Sequence, residues 1–345
     1  MTLINKPIVL DKIHKFIRNV RKNGNKIGKT PRSIAINYNN TCNFKCDFCY
    51  STEMDNEHAK ITLPIEKIEE LADQAHELGI WEIVLQGGEL TINKKELIKL
   101  IKAFKPERFQ MILVTNGFLL TQEYANELAN VGLDCVAVSI STMDAEFHDK
   151  ERHVPHAHEH ALKALEYSKN AGMAAWPNII YGHHNAFSDD LQQLLDYSKK
   201  HDYSIYFLMA MPYGSFKDNI MDAKDIEKLN YIRKNYNCYF DTWDMYDPKK
   251  EKITGCWCVN RTYISPLGDV FPCSYIPVKL GNIYEQPFKD ILDYGFSIKF
   301  FGNYSPVCIS AHNNEIRERF MSEDKSVFNY YDAKSVFTDD DYIKE

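Results

Sequence analysis

The alternation of strand-like and helix-like segments between residues 33 and 210 constrains the fold of this chain more than any other feature. Short apolar runs such as SIAINY at 33–38 and WEIVLQ at 81–86 have the composition of buried strands. The segment 64–78 lies between these two runs, and its apolar residues recur at helical spacing along one face. Because strands joined by single helices pair in parallel through right-handed crossovers, the pattern predicts an α/β domain.

The same strand-helix unit recurs along the chain until six strands are predicted. The predicted strands lie at 33–38, 81–86, 111–115, 134–140, 175–181 and 204–210, and the helices between them at 64–78, 94–104, 121–130, 156–171 and 188–200. Six such units form an open, partial (β/α)6 version of the TIM-like barrel. In a barrel of this kind, ligands bind at the C-terminal ends of the strands.

The alternation ends after Pro212 and Gly214, which predicts a second and smaller unit. One more helix is predicted at 222–235, and a turn- and cysteine-rich stretch follows it. The predicted parts are an N-terminal helical extension at 1–32, the barrel at 33–240, a small C-terminal domain at 241–320 and a tail at 321–345. The basic, amphipathic extension is predicted to cover one end of the barrel, and the acidic tail is predicted to be solvated.

The composition excludes several classes of partner. The chain has 345 residues, a formal net charge of −7 and a pI of about 6.0, so no basic surface favours nucleic acid. No apolar run approaches the ~20 residues that span a bilayer, and no signal-peptide pattern is present. We therefore expect a cytoplasmic protein without a membrane partner.

Seven of the nine cysteines fall into two groups, which indicates metal or redox chemistry rather than a disulfide framework. Cys42, Cys46 and Cys49 lie in one loop directly after the first predicted strand, where a barrel binds its ligands. Three thiolates leave one iron of a 4Fe–4S cluster open to a ligand from outside the protein. Three buried structural cysteines and a zinc site are the alternatives, although structural zinc normally has a fourth protein ligand.

The C-x3-C-x2-C spacing of these cysteines resembles the signature of the radical S-adenosylmethionine (SAM) superfamily. The resemblance implies that the amino and carboxylate groups of SAM chelate the open iron. It also implies that an electron from the cluster splits SAM into methionine and a 5′-deoxyadenosyl radical, which abstracts a hydrogen atom from the substrate. An electron donor such as flavodoxin or ferredoxin is the implied partner.

Further elements resemble the SAM-binding residues of this superfamily, in the same order along the chain. Gly87, Gly88 and Glu89 resemble its GGE element, which binds the SAM amino group, although Leu90 follows where the family usually has proline. The candidate ribose and carboxylate contacts are Asn116, Ser139, Ser141 and Arg152, and Phe48 stands at the position of an apolar residue near adenine. A guanidinium can hold a carboxylate through two hydrogen bonds, whereas a single Ser or Asn in a loop can equally be a turn residue.

The second cysteine group is Cys256, Cys258, Cys273 and Cys308. Its C-x9-G-x4-C spacing, with a predicted turn at 266–269, is similar to the SPASM or twitch extensions of radical SAM enzymes, which bind auxiliary iron–sulfur clusters. The resemblance implies one auxiliary 4Fe–4S cluster, with Cys258, Cys273 and Cys308 as ligands. The role of Cys256 stays open, because two cysteines one residue apart rarely ligate the same cluster, and zinc is the alternative metal.

Together these elements predict a radical SAM oxidoreductase. In relatives with such extensions the substrate is often a ribosomally synthesised peptide that is oxidised, cross-linked or epimerised, so a peptide is the first hypothesis. A dehydrogenase or epimerase of a sugar or small metabolite and a non-catalytic iron–sulfur or zinc protein are the alternatives. Cys238 is a candidate hydrogen-atom donor to a substrate radical, as in epimerases of the superfamily, and otherwise a structural thiol.

Overall fold

The computed structural model describes residues 5–49, 58–210, 216, 219–240, 255–321, 325 and 329–344. In these residues the helices are α1 (Pro7–Lys22), α2 (Ile65–Glu77), α3 (Lys94–Ala103), α4 (Gln122–Asn130), α5 (Ala145–Arg152), α6 (Ala157–Asn170), α7 (Asp189–Lys200), α8 (Ala223–Asn235), α9 (Phe288–Ser297), α10 (Lys299–Gly302), α11 (Ile309–His312), α12 (Asn314–Phe320) and α13 (Ala333–Val336). The strands are β1 (Ser33–Asn37), β2 (Glu82–Gln86), β3 (Gln110–Thr115), β4 (Cys135–Ser139), β5 (Ala174–Tyr181), β6 (Ile205–Met209), β7 (Cys238–Phe240), β8 (Arg261–Ile264), β9 (Asp269–Phe271), β10 (Val278–Lys279), β11 (Gly281–Asn282) and β12 (Tyr331–Asp332). Pro212, Gly214 and the predicted start of the C-terminal domain at 241 lie outside the described residues.

The first six strands form the parallel sheet that the sequence predicts. β1 to β6 pair in chain order, and β7 adds a further parallel strand beside β6. The sheet curls strongly. Five strands separate β8 from β6 in the sheet, and yet Nη1 of Arg261 on β8 donates to the hydroxyl of Tyr206 on β6 at 2.6 Å. The predicted open, partial barrel is therefore confirmed.

The concave face of this sheet encloses an interior that we call the lumen. One buried cluster of side chains from alternate strand positions lines it, including Ala35, Val84, Ile112, Ala137, Trp176 and Tyr263. The residues between them, such as Ile34, Ile83 and Val136, belong to the core on the outer side of the sheet, with the apolar faces of the helices. This arrangement follows from the two-residue period of a strand, which gives each strand one inner and one outer face.

The C-terminal unit continues the sheet of the barrel. β8 pairs in parallel with β1, with Arg261 opposite Ser33, and β9 and β11 follow as antiparallel strands. The sequence predicts a separate small domain after residue 240, whereas in the structure the two units share one sheet. The pairing joins positions that are far apart in the chain, so it leaves no local sequence signal.

The N-terminal helix α1 lies against the N-terminal ends of the barrel strands. Nζ of Lys12 donates to the carbonyl of Ile80 at 2.7 Å, and Nζ of Lys6 donates to the carbonyl of Gly132 at 2.9 Å. Both acceptors immediately precede the loops into β2 and β4. Burial lowers the pKa of Lys12 to about 8. The prediction that this segment covers the end of the barrel agrees with these contacts, and α1 lies at the edge opposite the predicted ligand site.

The structure corrects part of the prediction of a solvated tail, because Asp339 and Asp340 are exposed as predicted but the segment before them packs on the C-terminal core. β12 pairs with β10, and Phe337 packs against Phe301 and Phe320 in the C-terminal core. The acidic segment 339–341 also contacts the C-terminal core, since Arg319 donates to the carboxylate of Asp341 at 3.1 Å. Net acidity misled the prediction because the segment also carries aromatic residues whose burial is favourable.

Candidate active site

The three-cysteine loop follows the C-terminal end of β1. Phe44 anchors the loop, because its buried ring packs edge-on against Phe118 and its backbone N–H donates to Sγ of Cys42 at 3.4 Å. Burial raises the pKa of Cys46, and this thiol gives up its proton when it binds a metal. Cys42, Cys46 and Cys49 interact electrostatically with one another, so the loop gathers three soft sulfur donors, which fits three irons of a 4Fe–4S cluster.

β2 ends in a turn at Gly87 and Gly88 that lies directly against the start of the cysteine loop. The N–H of Gly88 donates to the carbonyl of Asn39 at 2.7 Å. A Cβ on Gly88 would lie 2.2 Å from the carbonyl oxygen of Thr41, and one on Gly87 would lie 2.3 Å from that of Asn39. Only glycine permits this approach, so the two glycines fix the turn beside the cysteines.

Glu89 is buried, with 2% of its surface exposed. Its carboxylate accepts hydrogen bonds from the hydroxyl of Thr91 at 2.6 Å, the hydroxyl of Thr115 at 2.8 Å and the N–H of Asn116 at 2.7 Å. Desolvation raises the pKa of this carboxyl, while the hydrogen bonds act in the opposite direction. These hydrogen bonds join the ends of β2 and β3 and hold the backbone of Asn116, while the contact of Glu89 with SAM that the resemblance implies stays a prediction.

Asn116 connects the end of β3 to the cysteine loop. Its Nδ2 donates to Oδ1 of Asn43 at 2.9 Å, and its Oδ1 accepts from the N–H of Phe118 at 2.9 Å. The side chain is therefore oriented at both ends and lies beside the loop. A polar amide held in this way can bond a ribose hydroxyl, as the resemblance predicts.

Arg152 brings three of the predicted residues together. Its side chain is nearly buried, Nη1 lies 3.9 Å from Sγ of Cys46, and Nη2 lies 3.5 Å from Oγ of Ser141. The guanidinium also lies over the ring of Phe48, 5.2 Å from its centre. A cation beside the thiols is well suited to hold the carboxylate of a small molecule bound at the open iron.

His148 orients this arginine, a role that no sequence motif predicts. Nε of Arg152 donates to Nε2 of His148 at 2.8 Å. Burial, followed by the charge of Arg152, lowers the pKa of His148 to about 3, so the imidazole is neutral and can accept this bond. The available signal is the spacing of four residues, which places the two side chains on one face of α5.

The C-terminal end of α5 also contacts the cysteine loop directly. The N–H of Asp47 donates to the carbonyl of Glu151 at 3.0 Å, and the Glu151 carboxylate accepts a hydrogen bond from Ser141. Nε2 of His153 lies 2.6 Å from Oδ1 of Asp47, and His153 has a φ of +56° at the end of the helix. The end of α5 therefore holds both the loop and the predicted carboxylate contacts.

Ser139 lies at the end of β4, where its register partner is Asn178 on β5. Both residues occupy inner positions of the sheet, since the adjacent Val138 and Ile179 belong to the outer cores. Asn178 is buried, and its Oδ1 has no hydrogen-bond partner in the described part of the chain. The structure thus adds Asn178 to the polar groups of the lumen, a position that no motif singles out.

The four cysteines of the second group converge on one small cavity. Sγ of Cys256 lies 3.5 Å from Sγ of Cys258. Cys256 is also hydrogen-bonded to Cys308, and Cys258 to Cys273. These bonds lower the pKa of Cys256 and raise the pKa of Cys258. The structure therefore places Cys256 beside the other three thiols, and its role as a ligand stays a prediction.

Four convergent thiols fit an iron–sulfur cluster in which every iron has a protein ligand. The donor set suits a 4Fe–4S cluster, and it also suits tetrahedral zinc. The cysteines come from three segments that meet beside the inner face of the sheet, since the cavity is lined by Ala35 of β1 as well. The closed donor set contrasts with the three thiols of the first loop.

Cys238 lies on β7 and packs against the outer core that contains Ile205 and Leu229. The adjacent Tyr239 packs with the lumen cluster instead. Cys238 therefore occupies an outer position of the sheet, on the side away from the lumen, and its role as a hydrogen-atom donor stays a prediction. Cys135, which the sequence analysis does not assign to a site, belongs to the lumen cluster.

Two family models match this chain. The model of the Radical SAM superfamily matches residues 36–198, and the model of the SPASM iron–sulfur cluster-binding domain matches residues 256–316. The chain belongs to the radical SAM superfamily. It therefore uses SAM and an iron–sulfur cluster, and its SPASM domain binds auxiliary iron–sulfur clusters, so the predicted cofactors are confirmed.

Several characterised proteins are similar to this radical SAM protein. An AdoMet-dependent heme synthase of Methanosarcina barkeri is 26% identical over 290 residues, which cover 76% of this chain and 82% of the relative. A GTP 3′,8-cyclase of Campylobacter curvus is 26% identical over 270 residues, which cover 72% of this chain and 82% of the relative.

Two solved structures show the same fold. SuiB of Streptococcus suis superposes with a TM-score of 0.60 at 18% identity, over 82% of this chain and 70% of SuiB. The structure of anSMEcpe with bound AdoMet superposes with a TM-score of 0.58 at 17% identity, over 76% of this chain and 81% of that protein. In the described part of this radical SAM protein, no helix has both the length and the apolar character needed to cross a membrane.

Proposed function

We propose that this protein is a radical SAM oxidoreductase that takes a hydrogen atom from a ribosomally synthesised peptide. The observation that carries the proposal is the placement of two thiol groups at opposite ends of the same pair of strands. The first group follows β1, and the second precedes β8, whose first residue lies opposite the first residue of β1. At ~3.3 Å per residue, the length of β1 separates the two thiol groups by on the order of 15 Å. The lumen lies between them and is free for a substrate.

Each end has a distinct task in this proposal. Cys42, Cys46 and Cys49 hold the SAM-binding 4Fe–4S cluster, while Cys256, Cys258, Cys273 and Cys308 hold an auxiliary 4Fe–4S cluster. When bound, the first cluster supplies the electron, received from a donor such as flavodoxin or ferredoxin, that cleaves SAM and generates the 5′-deoxyadenosyl radical. The chain's own residues bind and orient SAM and keep water away from the reacting atoms.

The SAM-binding residues follow from the contacts around the first loop. Arg152, oriented by His148, binds the carboxylate of SAM, and the backbone at Gly87 and Gly88 binds its amino group. Asn116 and Ser139 face the ribose, and Phe48 packs near adenine. The apolar wall of the lumen excludes water, so the hydrogen atom is taken from the substrate and not from solvent.

The fold supports a peptide substrate. SuiB has been solved with its precursor peptide SuiA, and anSMEcpe with bound peptides, and both share the barrel and C-terminal arrangement of this chain. In the described residues the lumen is partly open, since Tyr206, Leu208 and Ile180 on its wall are only half-buried. This partial opening gives an extended chain a route by which it can insert one residue into the lumen.

A small metabolite is the second candidate, and the sequence relatives favour it. The heme synthase and the GTP cyclase each match this chain over 82% of their own length, and one is named for making heme and the other for cyclising GTP, which are both small molecules. Asn178 and Arg261 supply polar groups to the lumen that can bind such a molecule. The two candidates differ in size, and a direct assay separates them.

The test is anaerobic reconstitution followed by a deuterium-transfer assay. We expect about eight irons per chain, for two 4Fe–4S clusters, and 5′-deoxyadenosine on addition of SAM and dithionite. Deuterated peptides encoded near this gene should transfer deuterium into 5′-deoxyadenosine. Transfer from a tetrapyrrole or nucleotide instead would establish the second candidate, and zinc in either site would contradict the proposal.

Cys238→Ala distinguishes two outcomes of the reaction. If a thiol returns a hydrogen atom to the substrate radical, the variant forms no epimerised product. Because Cys238 packs outside the lumen, we expect the variant to form product at the rate of the unaltered protein. Loss of product with normal 5′-deoxyadenosine formation would restore Cys238 as the donor.

A further inference from the structure

A group of charged and aromatic side chains lies between the four thiols and the lumen. Arg261 follows Cys258 by three residues and is the first residue of β8. Its side chain lines the same cavity as the four thiols. Because Nη1 donates to the hydroxyl of Tyr206 at 2.6 Å, the guanidinium has a fixed position between the thiols and the opposite wall of the barrel.

The surrounding contacts hold this position. The ring of Tyr206 stacks on Trp176 with 5.7 Å between ring centres, which fixes the acceptor hydroxyl. Tyr275 interacts electrostatically with Arg261 and with the thiols of Cys273 and Cys308. The guanidinium is therefore part of the immediate surroundings of the thiol group.

The local charge is positive. Glu82 interacts with Arg261, and it also forms a nearly buried ion pair with Arg32 at 2.9 Å. Two guanidinium groups and one carboxylate leave a net charge of +1 among these three residues. A charge in this position is weakly screened, because the side chains around it displace water.

We propose that Arg261 raises the reduction potential of the auxiliary cluster. The inference rests on the proposed assignment of that cluster to Cys256, Cys258, Cys273 and Cys308, and it does not depend on the substrate. A 4Fe–4S core with four thiolates is anionic, and reduction adds one more negative charge. A fixed cation stabilises the reduced form more than the oxidised form, because charge and hydrogen bonding around a cluster set its potential.

The test is a redox titration of the fully loaded protein, followed by electron paramagnetic resonance. In Arg261→Gln we expect the auxiliary signal to appear at a more negative midpoint potential than in the unaltered protein. In Arg261→Lys, which keeps the charge, the midpoint should stay close to that of the unaltered protein. The signal of the SAM-binding cluster should titrate at the same potential in all three proteins.

A second variant tests the same charge from the opposite side. Glu82→Gln removes the carboxylate and leaves both guanidinium groups, so the auxiliary midpoint should move to a more positive potential. Arg108→Gln is the matched control, since Arg108 pairs with Asp73 on the surface at 2.8 Å and should leave both midpoints unchanged. Opposite shifts in Arg261→Gln and Glu82→Gln cannot come from a general loosening of the fold.

Two results would overturn the inference. One is an unchanged auxiliary midpoint in Arg261→Gln with full iron content, and the other is an equal shift of both clusters. If Arg261→Gln binds less iron, the Glu82→Gln titration decides the question alone. Persistence of the auxiliary signal in Cys258→Ala combined with Cys273→Ala would instead contradict the proposed ligands, which keeps the two failures distinct.

Discussion

The two thiol groups of this molecule differ in how the chain assembles them. Cys42, Cys46 and Cys49 come from a single loop, and Cys42 is exposed. The second group takes its thiols from three segments that the hairpin of β8 and β9 and the start of α11 bring together, and Cys258 and Cys308 are buried. Three local thiols leave a cluster open to a small molecule, whereas four convergent thiols close it.

The proposed role of each cluster follows from this difference. An iron without a protein ligand can bind SAM, and the structure places Arg152, Ser141 and the turn at Gly88 beside the loop that leaves it open. The second group has a thiol for every iron, so we expect it to act through its charge and potential. Substitutions in one thiol group at a time test this contrast.

The largest effect is expected from Cys42→Ala. With two thiols in the loop, the SAM-binding cluster is lost, so no 5′-deoxyadenosine forms and iron falls from about eight to about four per chain. Iron analysis and chromatography of SAM products measure both quantities. Cys135→Ala is the control, because this buried thiol belongs to the lumen cluster and should leave the iron content unchanged.

Cys256→Ala tests the closure of the second group. We expect iron to fall towards about four per chain, or the auxiliary spectrum to change to that of a three-thiolate cluster. Cleavage of SAM without substrate should continue, because the first loop is intact. An unchanged iron content and Mössbauer spectrum would show that Cys256 is not a ligand, and the contrast between the groups would disappear.

Arg152→Gln tests SAM binding beside the three-cysteine loop and leaves all the cysteines unchanged. Loss of a charge-assisted hydrogen bond costs about 1.5–3 kcal/mol, so the Kd for SAM should rise about 10-fold to 150-fold at normal iron content. Equilibrium dialysis of the reconstituted protein measures the Kd. Lys150→Ala on the exposed side of the same helix should leave the Kd unchanged.

A smaller effect is expected from His148→Leu, because this residue acts through Arg152. Removing one neutral acceptor costs about 0.5–1.5 kcal/mol, so the Kd for SAM should rise about threefold to tenfold. His148→Gln keeps an acceptor oxygen and should restore part of the affinity. A Kd that does not change in His148→Leu would show that Arg152 needs no orienting partner.

The smallest effect is expected from Asp341→Asn in the C-terminal segment. Arg319 lowers the pKa of Asp341, so the pair stabilises the fold above the usual pKa of an aspartate and is lost as the pH falls through the lowered value. At neutral pH the variant should lose about 0.2–1 kcal/mol of the free energy of unfolding. Thermal unfolding measures this loss, and Asp340→Asn on the exposed side is the control.

The sequence predicts the strands and helices of the barrel closely. It does not predict the elements whose burial depends on contacts with distant parts of the chain. Each predicted barrel strand and helix is present, because two- and 3.6-residue periods are local properties. α5 is missed, since its buried residues are His148 and Arg152 and no apolar stripe marks it. The tail is misjudged because Phe337 finds its partners in helices that its own sequence does not reveal.

The parallel α/β fold, the three-cysteine loop and the order of the SAM-binding elements can be predicted from the amino-acid sequence, because they depend on residues close together in the chain. The closeness of Cys256 to the other three thiols, the position of Cys238 outside the lumen and the pairing of β8 with β1 become visible only in the folded chain. The fold also places Arg261 between the second group and Tyr206. These outcomes depend on contacts between residues far apart in the chain, and only the packing of the whole sheet brings such residues together.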